Sequence, residues 1–155
     1  MRPRPSRQPN LSRPAAWLAG AALLVVLLSG CARSDPEKEL RATVAAMAQA
    51  IEQHRVGDAV EAIAEDFTRE SGAFGKADAR RLLAGAMLRN EKIQLTAVVS
   101  DVSIEGERAR AKVRVLAAGG AGLLPERGQS WEFETVWRRE RGRWLVYNAE
   151  WREGL

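Results

Sequence analysis

Few side chains in this 155-residue chain could carry chemistry, because cysteine and histidine occur once each, as Cys31 and His54. With one of each no His/Cys metal cluster can be built, and no Asp/Asn loop of the calcium-binding kind is present, so no metal and no cofactor is expected. Ser71, Ser100 and Ser130 lack the Gly-x-Ser-x-Gly turn of a nucleophilic serine, and one histidine would have to serve any of them. His54 falls near the end of a helical pattern, where it can move a proton near neutrality or simply complement the helix dipole. Asp66 and Glu70 are candidate acid-base groups with Tyr147 as a third, although carboxylates at such positions also cap turns. Trp131, Phe133 and Trp137 share one strand parity, and Tyr147 and Trp151 share another on the next strand. Rings so placed fill a core, or else Trp131, Phe133, Tyr147 and Asn148 line a small-ligand pocket with Tyr147 and Asn148 as its orienting polar groups.

Charge removes one class of function. Of 24 basic residues, Arg2, Arg4, Arg7 and Arg13 precede the apolar run Ala15 to Leu28, and no acidic residue does. From Cys31 onward 20 basic residues therefore face 20 acidic ones, and the net charge is zero. A nucleic-acid partner, which requires a surplus of phosphate-neutralising cations, is not expected.

The first thirty residues have the form of an export signal: an Arg-bearing start, an apolar stretch, then small residues. Leu28-Ser29-Gly30-Cys31 resembles the lipobox of bacterial lipoproteins. The resemblance implies removal of residues 1–30, acylation of Cys31 by a diacylglyceryl group with a further chain such as palmitate on its amino group, and attachment to membrane lipid. Ala32 follows the cysteine where the family's inner-membrane proteins commonly carry aspartate, which implies the periplasmic face of the outer membrane. The uncharged stretch between Arg13 and Arg33 is also long enough for an uncleaved anchor, and Cys31 for a free thiol behind a plain secretory signal.

Residues 31–35 are then a short lipid tether and 36–155 a single domain. Extended, the tether reaches only ~14 Å, so the domain is expected close to the bilayer. Asp35-Pro36 reads as an N-cap followed by proline at the first helical position. Leu40, Val44, Met47, Ala48 and Ile51 mark a helix to about Arg55, which Gly57 is expected to end in the left-handed conformation. A second short helix is expected behind Asp58 with Val60, Ile63 and Ala64 inward, and a third over "GKADARRLLAGAML" with Leu82, Leu83, Ala86 and Met87 on one side. The remainder reads as strand. Ile93, Leu95, Ala97 and Val99 alternate and resume out of phase at Val102 and Ile104, which predicts a β-bulge near Ser100 and Asp101. "RARAKVRVLA", "SWEFETVW" and "RWLVYNAEW" are three more strands, the last two a hairpin around Gly142. The basic series Arg108 to Arg114 and the pair Glu132 and Glu134 would face one another if their strands are antiparallel neighbours. "AAGGAGLLPERG" is a loop whose Leu123 and Leu124 could contact membrane or protein or fold back as a lid.

The pattern of helices before a sheet, with "GDAVEAIAEDF" after the first helix and "RGRWLVYNAEW" at the close, resembles the nuclear transport factor 2-like family. This implies an α+β fold, N-terminal helices packed on a curved antiparallel sheet to form a cone. In that family the open end of the cone holds a pocket, which ketosteroid isomerase uses for acid-base chemistry and other members for binding. The isomerase pattern departs here, since Glu70 is followed by Ser71 where a carboxylate is required, and the first helix offers His54 in place of a tyrosine. The expected role is therefore a lipid-anchored envelope protein that binds a small apolar ligand or a partner protein without catalysis. Its rivals are a pocket enzyme of isomerase, dehydratase or hydrolase type using Asp66, Glu70 or Tyr147, and a homodimeric scaffold.

Overall fold

The computed structural model describes residues 35–69, 72–120 and 127–154. The leader, Cys31, Glu70, Ser71, Leu123 and Leu124 lie outside them. Helix α1 spans Pro36–Glu52 and begins as its sequence dictates: the Asp35 carboxylate accepts from the amides of Glu37 at 3.0 Å and Lys38 at 3.4 Å. Its other end differs from expectation. His54, not Gly57, takes the left-handed turn at φ 56°, and the Arg55 amide donates back to Ala50 O at 2.8 Å. This closes the helix in a Schellman motif with histidine where glycine is usual. The His54 ring holds that turn in place, its Nε2 lying 2.9 Å from Asn90 O.

Helix α2 is a single turn, Val56–Ala59, with Asp58 paired to Arg55 and not capping the turn. Strand β1, Ile63–Arg69, follows at once, so Ile63 and Ala64 belong to a strand and not to the expected second helix. Three apolar residues at 60, 63 and 64 fit either period, and only tertiary pairing decides. Strand β2, Phe74–Gly75, leads into helix α3, Lys76–Arg89, whose Asp78 accepts from the Gly75 amide at 2.9 Å. That bond is the leading reason the Asp78 carboxyl titrates below its ordinary range. Ala79 and Met87 are buried from this helix, but Leu82, expected inward, is exposed.

Four long strands complete the chain: β3 Lys92–Glu105, β4 Arg108–Gly120, β5 Arg127–Glu140 and β6 Arg143–Glu153. The sheet order is β2-β1-β6-β5-β4-β3, antiparallel throughout except that β1 runs parallel to β6. The sheet therefore begins before α3, and does not wait for all three helices to pass. The expected bulge is present, the β3 to β4 register slipping between Ser100 and Ser103 with Asp101 at φ 48°. Arg114 meets Glu132 as their register requires, at 3.0 Å, whereas the Lys112 ammonium turns from Glu134 to Asp101 at 3.4 Å.

Leu40 and Val44 of α1 pack on Ala109, Ala111, Val113, Trp137, Trp144 and Val146, the inner face of the sheet. Small alanines on β4 leave room for the two indoles. Both buried N–H groups find acceptors: Trp144 Nε1 donates to Pro36 O at 3.0 Å and Trp137 Nε1 to Thr135 Oγ1 at 2.8 Å. Every residue of this buried cluster lies between Leu40 and Ala149. Among the described residues no helix is long and apolar enough to cross a membrane.

Candidate functional site

The inner face changes character toward the ends of β3 to β6 that carry Val99, Trp131 and Trp151. Val99, Val113, Phe133 and Trp151 stand opposite one another on four successive strands. Arg69 of β1 extends the row, its guanidinium carbon 3.8 Å from the centre of the Trp151 ring and its Nη2 donating to Trp151 O at 3.3 Å. Phe74, the β2 partner of Arg69, meets Trp151 edge-on with ring centres 5.3 Å apart, and Phe133 lies 5.6 Å away on its other side. Met47 of α1, Leu83 of α3 and Val115, like Phe74, Phe133 and Trp151, are half-buried against the core. Trp131, also half-buried, follows Val115 in register on this face. Apolar groups that remain half in water while facing helices are available to a ligand as well as to the core.

The candidates named from sequence do not converge. Trp131 and Phe133 are on this inner face. Tyr147 and Asn148 are not: Asn148 alternates outward from Ala149 and Trp151, and beyond it the β5 to β6 register slips, Trp137 opposing Val146 and Val136 opposing Asn148, which leaves Tyr147 as the extra residue of a bulge. A bulge breaks the alternation that would have put Tyr147 beside Trp151. The Tyr147 ring lies instead 5.3 Å from the guanidinium of Arg138, and Asn148 Nδ2 donates to Thr68 O at 3.1 Å. Asp66 is on the outer side as well, gripped by Arg138 through two bonds of 2.7 and 2.6 Å. Those bonds hold its carboxyl below the usual Asp range and push the Arg138 guanidinium up. Glu70 lies outside the described residues. The only buried hydroxyl among the described residues, that of Thr135, is engaged, accepting from Trp137 and donating to Ala111 O at 2.7 Å.

Arg69 and Phe74 were missed from sequence. Phe74 sits in a two-residue strand too short to show a period, and only the pairing of Arg69 with Phe74 brings both over Trp151.

On the outer face a shallow cleft of about 530 Å³ is lined by Gln94, Thr96, Leu116, Gln129 and Ser130 among others. Beyond it Glu132 accepts from Arg114 at 3.0 Å and from Arg152 at 2.6 Å, with the Arg152 bond the larger cause of its lowered titration. No group of three His, Cys, Asp or Glu side chains among the described residues is close enough to hold a metal ion.

The sequence matches no family model and no curated protein. Its architecture does match solved structures. A candidate scytalone dehydratase from Novosphingobium aromaticivorans superposes with a TM-score of 0.65 over 77% of this chain and 84% of its own, at 12% identity. A candidate dehydratase from Streptomyces avermitilis, placed in the NTF2-like family, gives 0.63 over 76% of this chain and 95% of its own, at 19% identity. The fold is nuclear transport factor 2-like. A protein of unknown function with a cystatin-like fold from Nostoc punctiforme gives 0.57 over 76% and 90%, at 15% identity. Identities this low speak for the nuclear transport factor 2-like fold alone.

Proposed function

We propose that the chain is a lipid-anchored cell-envelope protein whose nuclear transport factor 2-like domain binds a small apolar ligand, without catalysis, on the inner face lined by Phe74, Phe133, Trp151 and Trp131. The observation that carries the reading is the character of that lining. Its inward side chains are chiefly aromatic and aliphatic; Arg69 is stacked on Trp151, and Glu153 opposes Trp131 at the exposed end of the row. Acid-base catalysis calls for two ionisable groups converging on one reacting centre. Asp66 and Tyr147 both lie with Arg138 on the outer side of the sheet. The dehydratase names of two structural relatives therefore find no matching pair among the described residues here.

The anchor reading rests on Leu28-Ser29-Gly30-Cys31 and on a tether that, fully extended, reaches no more than ~14 Å from Cys31 to the capped start of α1. Two or three acyl chains hold a protein on a bilayer where one would not, since each buried methylene contributes about 0.8 kcal/mol. The periplasmic face of the outer membrane is the site this reading assigns. Native mass spectrometry of the detergent-extracted protein tests both parts. The expected spectrum shows a chain starting at an acylated Cys31 with a co-purified small molecule. A chain that retains residues 1–30 with a free thiol would overturn the anchor, and a ligand-free chain that takes up no apolar probe would overturn the binding role.

A second reading, self-association through the outer sheet face, is favoured by Val98 and Leu116, both more than half exposed there. A two-fold axis running along the strands between β4 and β5 would set Lys112 and Arg114 of each copy over Glu134 and Glu132 of the other. Sedimentation of the soluble domain decides it, a strict monomer at micromolar concentration counting against it.

A further inference from the structure

Helix α3 carries an outward face that neither the core nor the inner-face site uses. At about 100° per residue, Leu82 and Leu88 fall roughly 60° to either side of Gly85, and Arg81 and Arg89 roughly 40° to either side. Leu88 is 88% exposed and Leu82 59%, the highest values among the large apolar side chains that stand in water. Between them the surface is low, for Gly85 has no side chain and the Arg89 guanidinium folds to within 3.1 Å of where a Cβ would be. Ala79 and Met87 bury the opposite side, so the orientation of the helix is fixed by its packing.

The charge on this face is basic as well: Arg81 and Arg89 flank Gly85 with Asp78 about 20° from it, a net of one positive charge, while Lys76 and Arg80 fall on the far side of the helix. Asp78 is already engaged by Gly75 and Arg81, and Lys76 by Glu65. Arg89 has no ion pair among the described residues. Two leucines around a glycine offer far less apolar surface than the ~800 Å² per partner of a stable protein interface. They suit insertion between lipid headgroups, with guanidinium groups left at the level of the phosphates.

We propose that α3 docks the domain on an anionic bilayer, Leu82 and Leu88 entering the acyl boundary while Arg81 and Arg89, to either side of Gly85, meet lipid phosphates. The proposal rests on the lipid-anchored reading for its setting, because a short tether supplies the millimolar effective lipid concentration that so small a patch needs.

The test uses the unacylated chain from residue 32, which retains the whole core between Leu40 and Ala149. It is sedimented with vesicles of phosphatidylglycerol and phosphatidylethanolamine, or of phosphatidylcholine, at millimolar lipid. Binding to the anionic vesicles only is expected, falling about tenfold in Leu82→Gln/Leu88→Gln and weakened in 0.5 M salt, as surface pairing with phosphate predicts. Arg89→Glu, a separate surface change, should also weaken it. No binding, equal binding to phosphatidylcholine, or leucine variants that bind as the parent does would each overturn the proposal. So would a dimer that the leucine substitutions convert to monomer, which would make α3 a contact between copies. Failure of the anchor reading is seen separately, in the mass of the Cys31 peptide from the native protein.

Discussion

Arg138 reaches from β5 across β6 to grip Asp66 of β1 with both terminal nitrogens, while Tyr147 lies beneath its guanidinium and Glu140 takes its Nε. Two residues that could have served an active site are thereby committed to fastening the parallel strand to the rest of the sheet. The bidentate geometry favours the ionised carboxylate, so the folded Asp66 titrates below its unfolded value. Its contribution is present in full above the unfolded value near ~3.9 and is lost as pH falls through the lower folded value. Because Asp66 is 64% exposed, solvent screening keeps that contribution under about 1 kcal/mol. Asp66→Asn should lower the urea midpoint slightly at pH 7, and the gap to the parent should close toward pH 3. Ligand retention should not change, and a variant that folds but loses its ligand would place Asp66 in the site after all.

Strand β3 is an edge of the sheet, and α1 covers it with side chains. Arg41 Nη1 donates to Val99 O, and the Leu95 amide donates to Glu52 Oε1 at 2.8 Å. Without these partners the edge would offer free backbone groups to another chain. Glu52→Ala should cost about 1 kcal/mol and speed amide exchange at Leu95 selectively, with Val113 and other central-strand amides unaffected. Light scattering on warming should rise earlier than in the parent. Uniform acceleration of exchange across the sheet would contradict the local role.

Strand periods and caps were legible where one rule operated alone. Asp35-Pro36 started α1, the phase slip after Val99 marked the bulge, and the alternation of Arg114 and Glu132 foretold their pairing. The reading failed where local signals competed or where the deciding contact was distant. Gly57 was the better local stop, but the His54 ring bound to Asn90 O set the turn three residues earlier. Ile63 and Ala64 satisfied a helical period until their strand found β6. The candidate site divided for the same reason: the bulge at Tyr147 has no sequence signature comparable to a glycine, and it moved Tyr147 away from Trp151, whereas Asn148 differs from Trp151 in strand parity and faces outward by plain alternation.

Thr135 offers a sharp test of core satisfaction. Its hydroxyl donates to Ala111 O and accepts from Trp137 Nε1, both within a buried environment. Thr135→Val keeps the shape and removes the hydroxyl, which leaves the Trp137 indole N–H without its acceptor in the core and takes a donor from Ala111 O. The expected loss is about 2 to 3 kcal/mol, far above what one methyl-for-hydroxyl exchange costs at the surface. Trp137→Phe in the Thr135→Val background removes the orphaned donor, so the double variant should lose less than the sum of the two singles, read from denaturation midpoints in a double-mutant cycle.

The aromatic end of the inner face separates packing from binding through residues with unequal sets of neighbours. Trp151 touches Phe74, Phe133 and Arg69, so Trp151→Ala removes three partners and should cost about 2 to 3 kcal/mol even though the ring is only half-buried. Trp131 is half-buried further along the same face, next to Val115 and Glu153 in register, with no ring stacked on it among the described residues. Trp131→Ala should therefore change the denaturation midpoint little, by roughly 1 kcal/mol or less in stability. If this face binds an apolar ligand, the same substitution should lower the co-purified fraction seen by native mass spectrometry severalfold, with the fold intact. Full retention of the ligand in folded Trp131→Ala and Phe133→Ala variants would show that these rings only pack, and that the ligand sits elsewhere.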